Sequence, residues 1–141
     1  MSDNGARILI IDDDIEFAEV LRMHLSAAGY AAEVAEDAVE GGKALLANPP
    51  DLVLCDINLP YLSGLDLTTL MQSDTRLASI PVVLFSGRTD ADTMAKAVKL
   101  GAADFLAKPI TRDQLLESVK ACLQAGGRRA AVPDYRFPPV V

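Results

Sequence analysis

The sequence Leu52-Val53-Leu54-Cys55-Asp56 is a short apolar run that ends on a carboxylate. An apolar run of this length, without alternation, is typical of a strand that is buried on both faces of a parallel sheet. Three other runs end on polar residues in the same way: Ile8-Leu9-Ile10-Ile11 before Asp12-Asp13-Asp14, Val82-Val83-Leu84-Phe85 before Ser86-Gly87, and Asp104-Phe105-Leu106-Ala107 before Lys108-Pro109. The four runs therefore predict strands whose carboxyl ends carry polar side chains.

Longer stretches with helical periodicity separate these strands, and such alternation is typical of βα units. The pattern predicts strands over 7–11, 31–35, 52–56, 81–85 and 104–107, and helices over 15–28, 38–47, 65–73, 90–100 and from 111 to about 126. The helix over 38–47 is the weakest prediction, because Gly41 and Gly42 each cost about 1 kcal/mol relative to alanine. The last helix has a clear start signal, since Thr111 and Gln114 match a capping box.

Right-handed crossovers with helices on both faces predict an α/β fold. Its core is a doubly wound five-stranded parallel sheet with strand order 2-1-3-4-5. The chain has 141 residues, half of them apolar, which fits one domain that we place at 1–125. Residues 126–141 contain three prolines and no periodicity, so they are predicted to form an extended tail or linker.

The carboxyl ends of the strands form the edge at which open α/β sheets bind ligands. The predicted order makes strands one and three neighbours, which brings Asp12 and Asp13 beside Asp56. Ser86 and Lys108 follow the next two strands of the sheet. Carboxylates this close repel one another unless a cation lies among them or their pKa values rise. Because the cluster offers only oxygen ligands, it favours a hard ion, first of all Mg²⁺.

Each of these residues also has a local explanation. The aspartates at 12–14 suit a helix N-cap, Asp56 and Ser86 suit turns, and Lys108-Pro109 suits a strand-to-helix connection. By the same reasoning Phe105 is an ordinary core residue. None of these local explanations accounts for the placement of all five positions at one edge of one sheet. A functional site is therefore the better interpretation.

The composition limits the possible partners. The net charge is −7, and because the tail contributes three arginines against one aspartate, residues 1–125 stand at −9. This charge disfavours nucleic-acid binding by the domain. No apolar stretch reaches the roughly 18 residues of a membrane span and no secretory signal is present, so we expect a cytoplasmic protein without membrane association. Cys55 and Cys122 lack a C-x-x-C or histidine partner and are predicted to be core thiols.

With these features the chain resembles the receiver domain of two-component response regulators, over about 7–123. The family's acidic pair falls on Asp12 and Asp13, its phosphoacceptor on Asp56, its Pro-x-x-x-Gly loop on Pro60 and Gly64, its hydroxyl on Ser86, its aromatic switch on Phe105, and its Lys-Pro pair on Lys108 and Pro109. The chain departs from the commoner family pattern where Ser86 replaces threonine and where Phe105 lacks the hydroxyl of tyrosine. The resemblance implies the flavodoxin-like (βα)5 receiver fold.

The resemblance also implies the chemistry of the site. Asp56 would accept a phosphoryl group from a sensor histidine kinase or a histidine phosphotransfer protein. Mg²⁺ would be held by Asp13, Asp56 and the backbone carbonyl of Asn58, with Asp12 acting mainly through water. Lys108 would neutralise a phosphoryl oxygen.

A conformational switch is the third implication. Ser86 would hydrogen-bond the phosphoryl group and Phe105 would rotate inward, which changes the face formed by the fourth helix, fifth strand and fifth helix. That face would contact an unknown downstream protein or, in a dimer, a second copy of the chain. Asn58 and Arg88, each two residues past a site residue, are predicted to set the lifetime of phospho-Asp56. The domain would phosphorylate and dephosphorylate only itself, so we do not expect an enzyme with an external substrate.

Three alternatives remain open at this stage. A haloacid-dehalogenase-like phosphatase also uses an aspartyl phosphate, but its Asp-x-Asp-x-Thr/Val motif fails at Glu16. A flavodoxin-like FMN carrier needs a phosphate cradle, and the aspartates at 12–14 would repel phosphate. A degenerate receiver acting only as a docking module would be expected to have lost Asp56, Lys108 or the acidic pair, and it has kept them.

Overall fold

The computed structural model describes residues 5–87 and 91–126. Its centre is a five-stranded parallel sheet in the order β2-β1-β3-β4-β5. The elements in chain order are β1 (Arg7–Ile11), α1 (Ile15–Ala27), β2 (Ala31–Ala35), α2 (Ala38–Ala47), β3 (Leu52–Asp56), α3 (Gly64–Ser73), β4 (Val82–Ser86), α4 (Ala91–Lys99), β5 (Asp104–Ala107) and α5 (Arg112–Gly126). The predicted doubly wound sheet and its strand order are confirmed.

The largest boundary difference is in β4, which is shifted by one residue from the predicted 81–85. Pro81 has no N–H to give to the sheet, although its carbonyl accepts a bond from Val53 N at 3.0 Å. At the other end Ser86 is a full strand residue, paired with Ala107, and its carbonyl accepts from Lys108 N at 2.9 Å. The Ser86 hydroxyl therefore belongs to the strand itself.

The other differences are small. α1 ends one residue earlier than predicted, α3 begins one residue earlier, and α4 ends one residue earlier, at Lys99; residue 90 lies outside the described residues. α5 ends at Gly126, where the last helix was predicted to end. The rest of the predicted tail, 127–141, and Arg88 lie outside the described residues.

Two apolar layers cover the sheet, and alternate strand residues belong to opposite layers. Leu9 and Ile11 of β1 face the layer completed by α2, α3 and α4, whereas Ile8 and Ile10 face the layer completed by α1 and α5. Both faces of the central strands β1, β3 and β4 are buried, which is why these strands are apolar almost throughout. Each fully buried leucine or isoleucine contributes about 1.5–3 kcal/mol.

The two cysteines lie in these layers, and the prediction of core thiols is confirmed. The predicted capping box is confirmed as well: Gln114 N donates to Thr111 Oγ1 at 3.1 Å, and Thr111 N donates to Gln114 Oε1 at 3.0 Å. Among the described helices, none combines the length and apolar character that crossing a bilayer requires.

α2 forms despite its two glycines, and the structure separates their roles. Gly41 is buried against β1, where an added Cβ would lie 2.7 Å from Ile11 Cδ1. The missing side chain thus lets α2 approach the sheet closely. An added Cβ at Gly42 would meet no atom within 4 Å, so this glycine weakens the helix without a packing benefit.

Gly42→Ala is expected to raise the free energy of unfolding by about 0.5–1 kcal/mol, because alanine has the higher helix propensity. Gly41→Ala is the matched control, since there the same gain is opposed by the contact with Ile11. Urea unfolding of the wild type and both variants measures the difference. Equal stabilisation by the two substitutions would contradict this account of α2.

Candidate functional site

The predicted site residues meet at the carboxyl edge of the sheet. Asp56 is the last residue of β3, and Asp12 follows β1 directly, its N–H bound to the carbonyl of Ala35 in β2. Asp56 is 5% exposed and Asp12 is fully buried. Lys108 comes from the end of β5 and Ser86 from the end of β4. Four adjacent strands thus bring these side chains to one place.

The three consecutive aspartates have different roles. Asp14 is the N-cap of α1, with its carboxylate accepting a hydrogen bond from Phe17 N at 3.2 Å. Asp12 Oδ1 accepts from Asp14 N at 2.9 Å, which fixes the buried carboxylate. Asp13 is exposed. The helix-capping explanation therefore holds for Asp14 only, and it leaves Asp12 and Asp13 for the site.

Asp12, Asp13 and Asp56 form an acidic cluster that suits a divalent cation. One carboxylate oxygen from each lies within 4.8 Å of the others. Burial, with a smaller contribution from the charge of Asp56, raises the pKa of Asp12 to about 6 against the opposing effects of the Asp14 N–H and Lys108. An all-oxygen cluster whose charges repel is the donor set that Mg²⁺ prefers, so the residues present fit this ion.

Lys108 carries the positive charge that faces the cluster. Its Nζ lies 3.0 Å from Asp56 Oδ2 and 3.4 Å from Asp12 Oδ2, and 24% of its side chain is exposed. Burial lowers the pKa of Lys108, but the hydrogen bond and charge of Asp56, together with Asp12, outweigh burial and hold the pKa above its usual value. The ammonium group is therefore fully charged at neutral pH.

Asn58 connects Asp56 with Ser86. Its backbone N–H donates to Asp56 Oδ1 at 3.0 Å, and its side-chain Nδ2 donates to Ser86 Oγ at 3.3 Å. Ser86 is 1% exposed. The Pro60–Gly64 loop closes under this group, because Gly64 N donates to Ile57 O at 2.9 Å. A Cβ at Gly64 would lie 2.6 Å from the Asp56 carbonyl oxygen, so this close approach requires glycine.

Phe105 lies apart from the acidic cluster. It is partly buried against the layer formed with α2, α3 and α4. Two aromatic rings that were not predicted to belong to the site, those of Phe17 and Phe85, lie beside Lys108. An aromatic residue in the first turn of a helix that begins at the carboxyl edge was the available signal.

Comparison with known proteins identifies this arrangement. A profile of the response regulator receiver domain matches residues 8–120, which include every predicted site residue. The chain belongs to the response regulator receiver family. The phosphatase and FMN-carrier alternatives are therefore set aside.

The curated relatives of this receiver domain include transcriptional regulators. It is 33% identical to the transcriptional regulatory protein GltR of Pseudomonas aeruginosa, over 97% of this chain and 60% of that protein. It is 30% identical to the phosphate regulon transcriptional regulatory protein PhoB of the same species, over 87% of this chain and 54% of that protein. The chain thus spans little more than half the length of these relatives.

Solved receiver structures agree in fold. A response regulator receiver domain protein (CheY-like) from Methanospirillum hungatei superposes with a TM-score of 0.81 at 26% identity, over 89% of this chain and 98% of that one. The signal receiver domain of a signal transduction histidine kinase from Syntrophus aciditrophicus gives a TM-score of 0.79 at 27% identity, over 97% and 98%. The described part of the chain therefore has the receiver fold.

Proposed function

We propose that this receiver accepts a phosphoryl group on Asp56 from a sensor histidine kinase or a histidine phosphotransfer protein and reports the event to a downstream protein. The observation that carries the proposal is the approach of Lys108 Nζ to Asp56 Oδ2, 3.0 Å, at the edge that also holds Asp12 and Asp13. Asp56 therefore has a cationic side chain and two further carboxylates beside it. These groups suit a carboxylate that forms an acyl phosphate.

Asp13, Asp56 and the backbone carbonyl of Asn58 are the groups that we propose to hold Mg²⁺, with Asp12 acting mainly through water. Bound there, the ion would neutralise charge that develops on the phosphoryl oxygens. The Asp12 carboxylate suits this indirect role, because it is buried and each of its oxygens already has a donor in the protein: Oδ1 accepts from Asp14 N at 2.9 Å, and Oδ2 lies 3.4 Å from Lys108 Nζ.

The chain's own residues provide the remaining steps. An Asp56 carboxylate oxygen forms the new bond to phosphorus while the phosphorus–nitrogen bond of the donor histidine breaks. The leaving imidazole keeps the electron pair and takes up a proton. Lys108 transfers its hydrogen bond from the carboxylate to a phosphoryl oxygen. Later attack of water on phosphorus releases phosphate and restores the carboxylate, so the domain acts only on itself.

Ser86 and Phe105 are the proposed switch. The Ser86 hydroxyl, now bonded by Asn58 Nδ2 at 3.3 Å, would turn to the phosphoryl group, and Phe105 would rotate inward. The face of α4, β5 and α5 would then contact its partner in a new conformation. Asn58 and Arg88 are proposed to set the phosphoryl lifetime by controlling the path of the attacking water.

The partner on the α4, β5 and α5 face is proposed to be a protein or, in a dimer, a second copy of the chain. A net charge of −9 over residues 1–125 disfavours direct contact with nucleic acid. The relatives named as transcriptional regulators are longer than this chain, and any such output here would need more than this domain.

Intact-mass measurement with acetyl phosphate is the decisive experiment. We expect a phosphoryl adduct on the wild type with Mg²⁺ and none after chelation. Asp56→Asn should abolish the adduct, because the amide is no nucleophile for phosphorus. A wild type without adduct at any Mg²⁺ concentration would reject phosphoacceptor function and leave the docking-module alternative.

A further inference from the structure

Lys108 contacts two aromatic rings as well as two carboxylates. Its Nζ lies 4.5 Å from the centroid of Phe17 and 5.4 Å from the centroid of Phe85. Both distances are within the range in which a cation is attracted to the face of an aromatic ring. The ammonium group therefore lies between an acidic side, formed by Asp12 and Asp56, and an aromatic side.

The aromatic side is held firmly. Phe85 is fully buried in β4, and the Phe17 ring packs against it edge to face, with centroids 5.7 Å apart at 61°. The backbone of Phe17 is held in place as well, because its N–H donates a hydrogen bond to the side-chain carboxylate of the N-cap residue Asp14. The same short segment thus supplies the buried Asp12 carboxylate and the ring that meets Lys108.

We infer that Phe17 is a positioning residue that holds the Lys108 ammonium ready for phosphoryl transfer, an inference that rests on the proposed function. Transfer requires Nζ to leave the Asp56 carboxylate and bond a phosphoryl oxygen. A ring face attracts a cation over a broad area and accepts no strong hydrogen bond, so it neither fixes one direction nor competes for the N–H groups. The contact can therefore persist while the hydrogen-bond partner changes.

A purely structural role for Phe17 makes a different prediction. Phe17 is only partly buried and packs against the layer of α1 and α5. If it served only the core, any apolar residue of similar size would support the same phosphorylation rate once stability is matched. The positioning role depends on the ring, so leucine should fail and tyrosine should succeed.

The test compares Phe17→Leu with Phe17→Tyr. We expect the rate constant for phosphorylation by acetyl phosphate at saturating Mg²⁺ to fall about three- to tenfold in Phe17→Leu, within the range for a cation–π contact, and to stay within about twofold of wild type in Phe17→Tyr. Tyr30→Leu is the matched control, because Tyr30 is partly buried in the same layer and follows α1 at its other end.

A second measurement reports the contact directly. NMR of lysine-labelled, unphosphorylated protein should show the Lys108 ε-methylene signal displaced by the ring current, assigned by its loss in Lys108→Arg. The displacement should shrink in Phe17→Leu and persist in Phe17→Tyr and Tyr30→Leu.

Two results would overturn the inference alone: a wild-type phosphorylation rate in Phe17→Leu, or an equal rate loss in Tyr30→Leu. Absence of any adduct on the wild type would instead overturn the proposed function and, with it, this role of Phe17. The NMR shift is independent of phosphorylation, so the two failures are distinguishable.

Discussion

Lys108→Met is expected to lower the rate of Asp56 phosphorylation by acetyl phosphate about 100- to 1,000-fold, the usual effect of removing one preorganised donor to developing charge. Methionine keeps an apolar side chain of similar length but removes the ammonium that lies 3.0 Å from Asp56 Oδ2. Charge that develops on the phosphoryl oxygens would then lack one of its two proposed cationic partners.

The measurement is the initial rate of adduct formation, by intact mass, over a range of Mg²⁺ concentrations. Lys43→Met is the matched control, because Lys43 is exposed on α2 and pairs only with Glu40 of its own helix, at 3.5 Å, among the contacts of the described residues. We expect this control to react at the wild-type rate. A Lys108→Met rate within threefold of wild type would mean that the lysine serves the fold and not the transfer.

Strand ends were the part of the site that the sequence could predict. A parallel sheet forces the carboxyl ends of its strands to one edge, so the end of each apolar run was enough to bring Asp12, Asp56 and Lys108 together. Ser86 was placed correctly at that edge even though its strand begins one residue later than predicted. Topology determines the location of these groups, and topology follows from apolar periodicity.

Packing was the part that the sequence could not predict. From the sequence alone, Gly41 was expected only to weaken α2. In the structure a glycine is needed there because the side chain of Ile11 in β1 occupies the space that a Cβ would take. Phe17 fitted the apolar stripe of α1, and nothing in its periodicity distinguishes a ring that meets Lys108 from a ring that meets only the core. Such contacts depend on the distance between elements, which local sequence does not encode.

Asp12→Asn is expected to raise the free energy of unfolding of the metal-free protein at pH 8 by about 1–3 kcal/mol. The buried Asp12 carboxylate has a pKa of about 6 in the folded protein and 3.8 as the reference value. Between these values the folded state binds more protons than the unfolded state. The free energy of unfolding therefore falls as the pH rises from about 4 to about 6, and above that range the full cost of the buried charge remains.

Asparagine keeps the size of the side chain and can accept the Asp14 N–H, but it carries no charge. The pKa of about 6 already includes the attraction of Lys108, 3.4 Å away, so the ion pair that Asp12→Asn loses is part of the expected gain and is not subtracted again. Urea unfolding in EDTA from pH 4 to pH 8 should show that the decline between pH 4 and pH 6 is weaker in Asp12→Asn. Asp14→Asn is the matched control, since asparagine caps a helix as well as aspartate does.

Mg²⁺ should reverse the order of the two proteins. A ligand that binds only the folded state stabilises it in proportion to the logarithm of its concentration over Kd. The wild type, with its full acidic cluster, should therefore gain more than Asp12→Asn.

If metal-free Asp12→Asn is no more stable than the metal-free wild type at pH 8, the proposed cost of the Asp12 charge is contradicted. If the cost is confirmed, the metal-free protein is less stable than it would be without the Asp12 charge, because the acidic cluster is arranged to bind a cation. A lower free energy of unfolding at a site that serves chemistry is the expected result of selection for function.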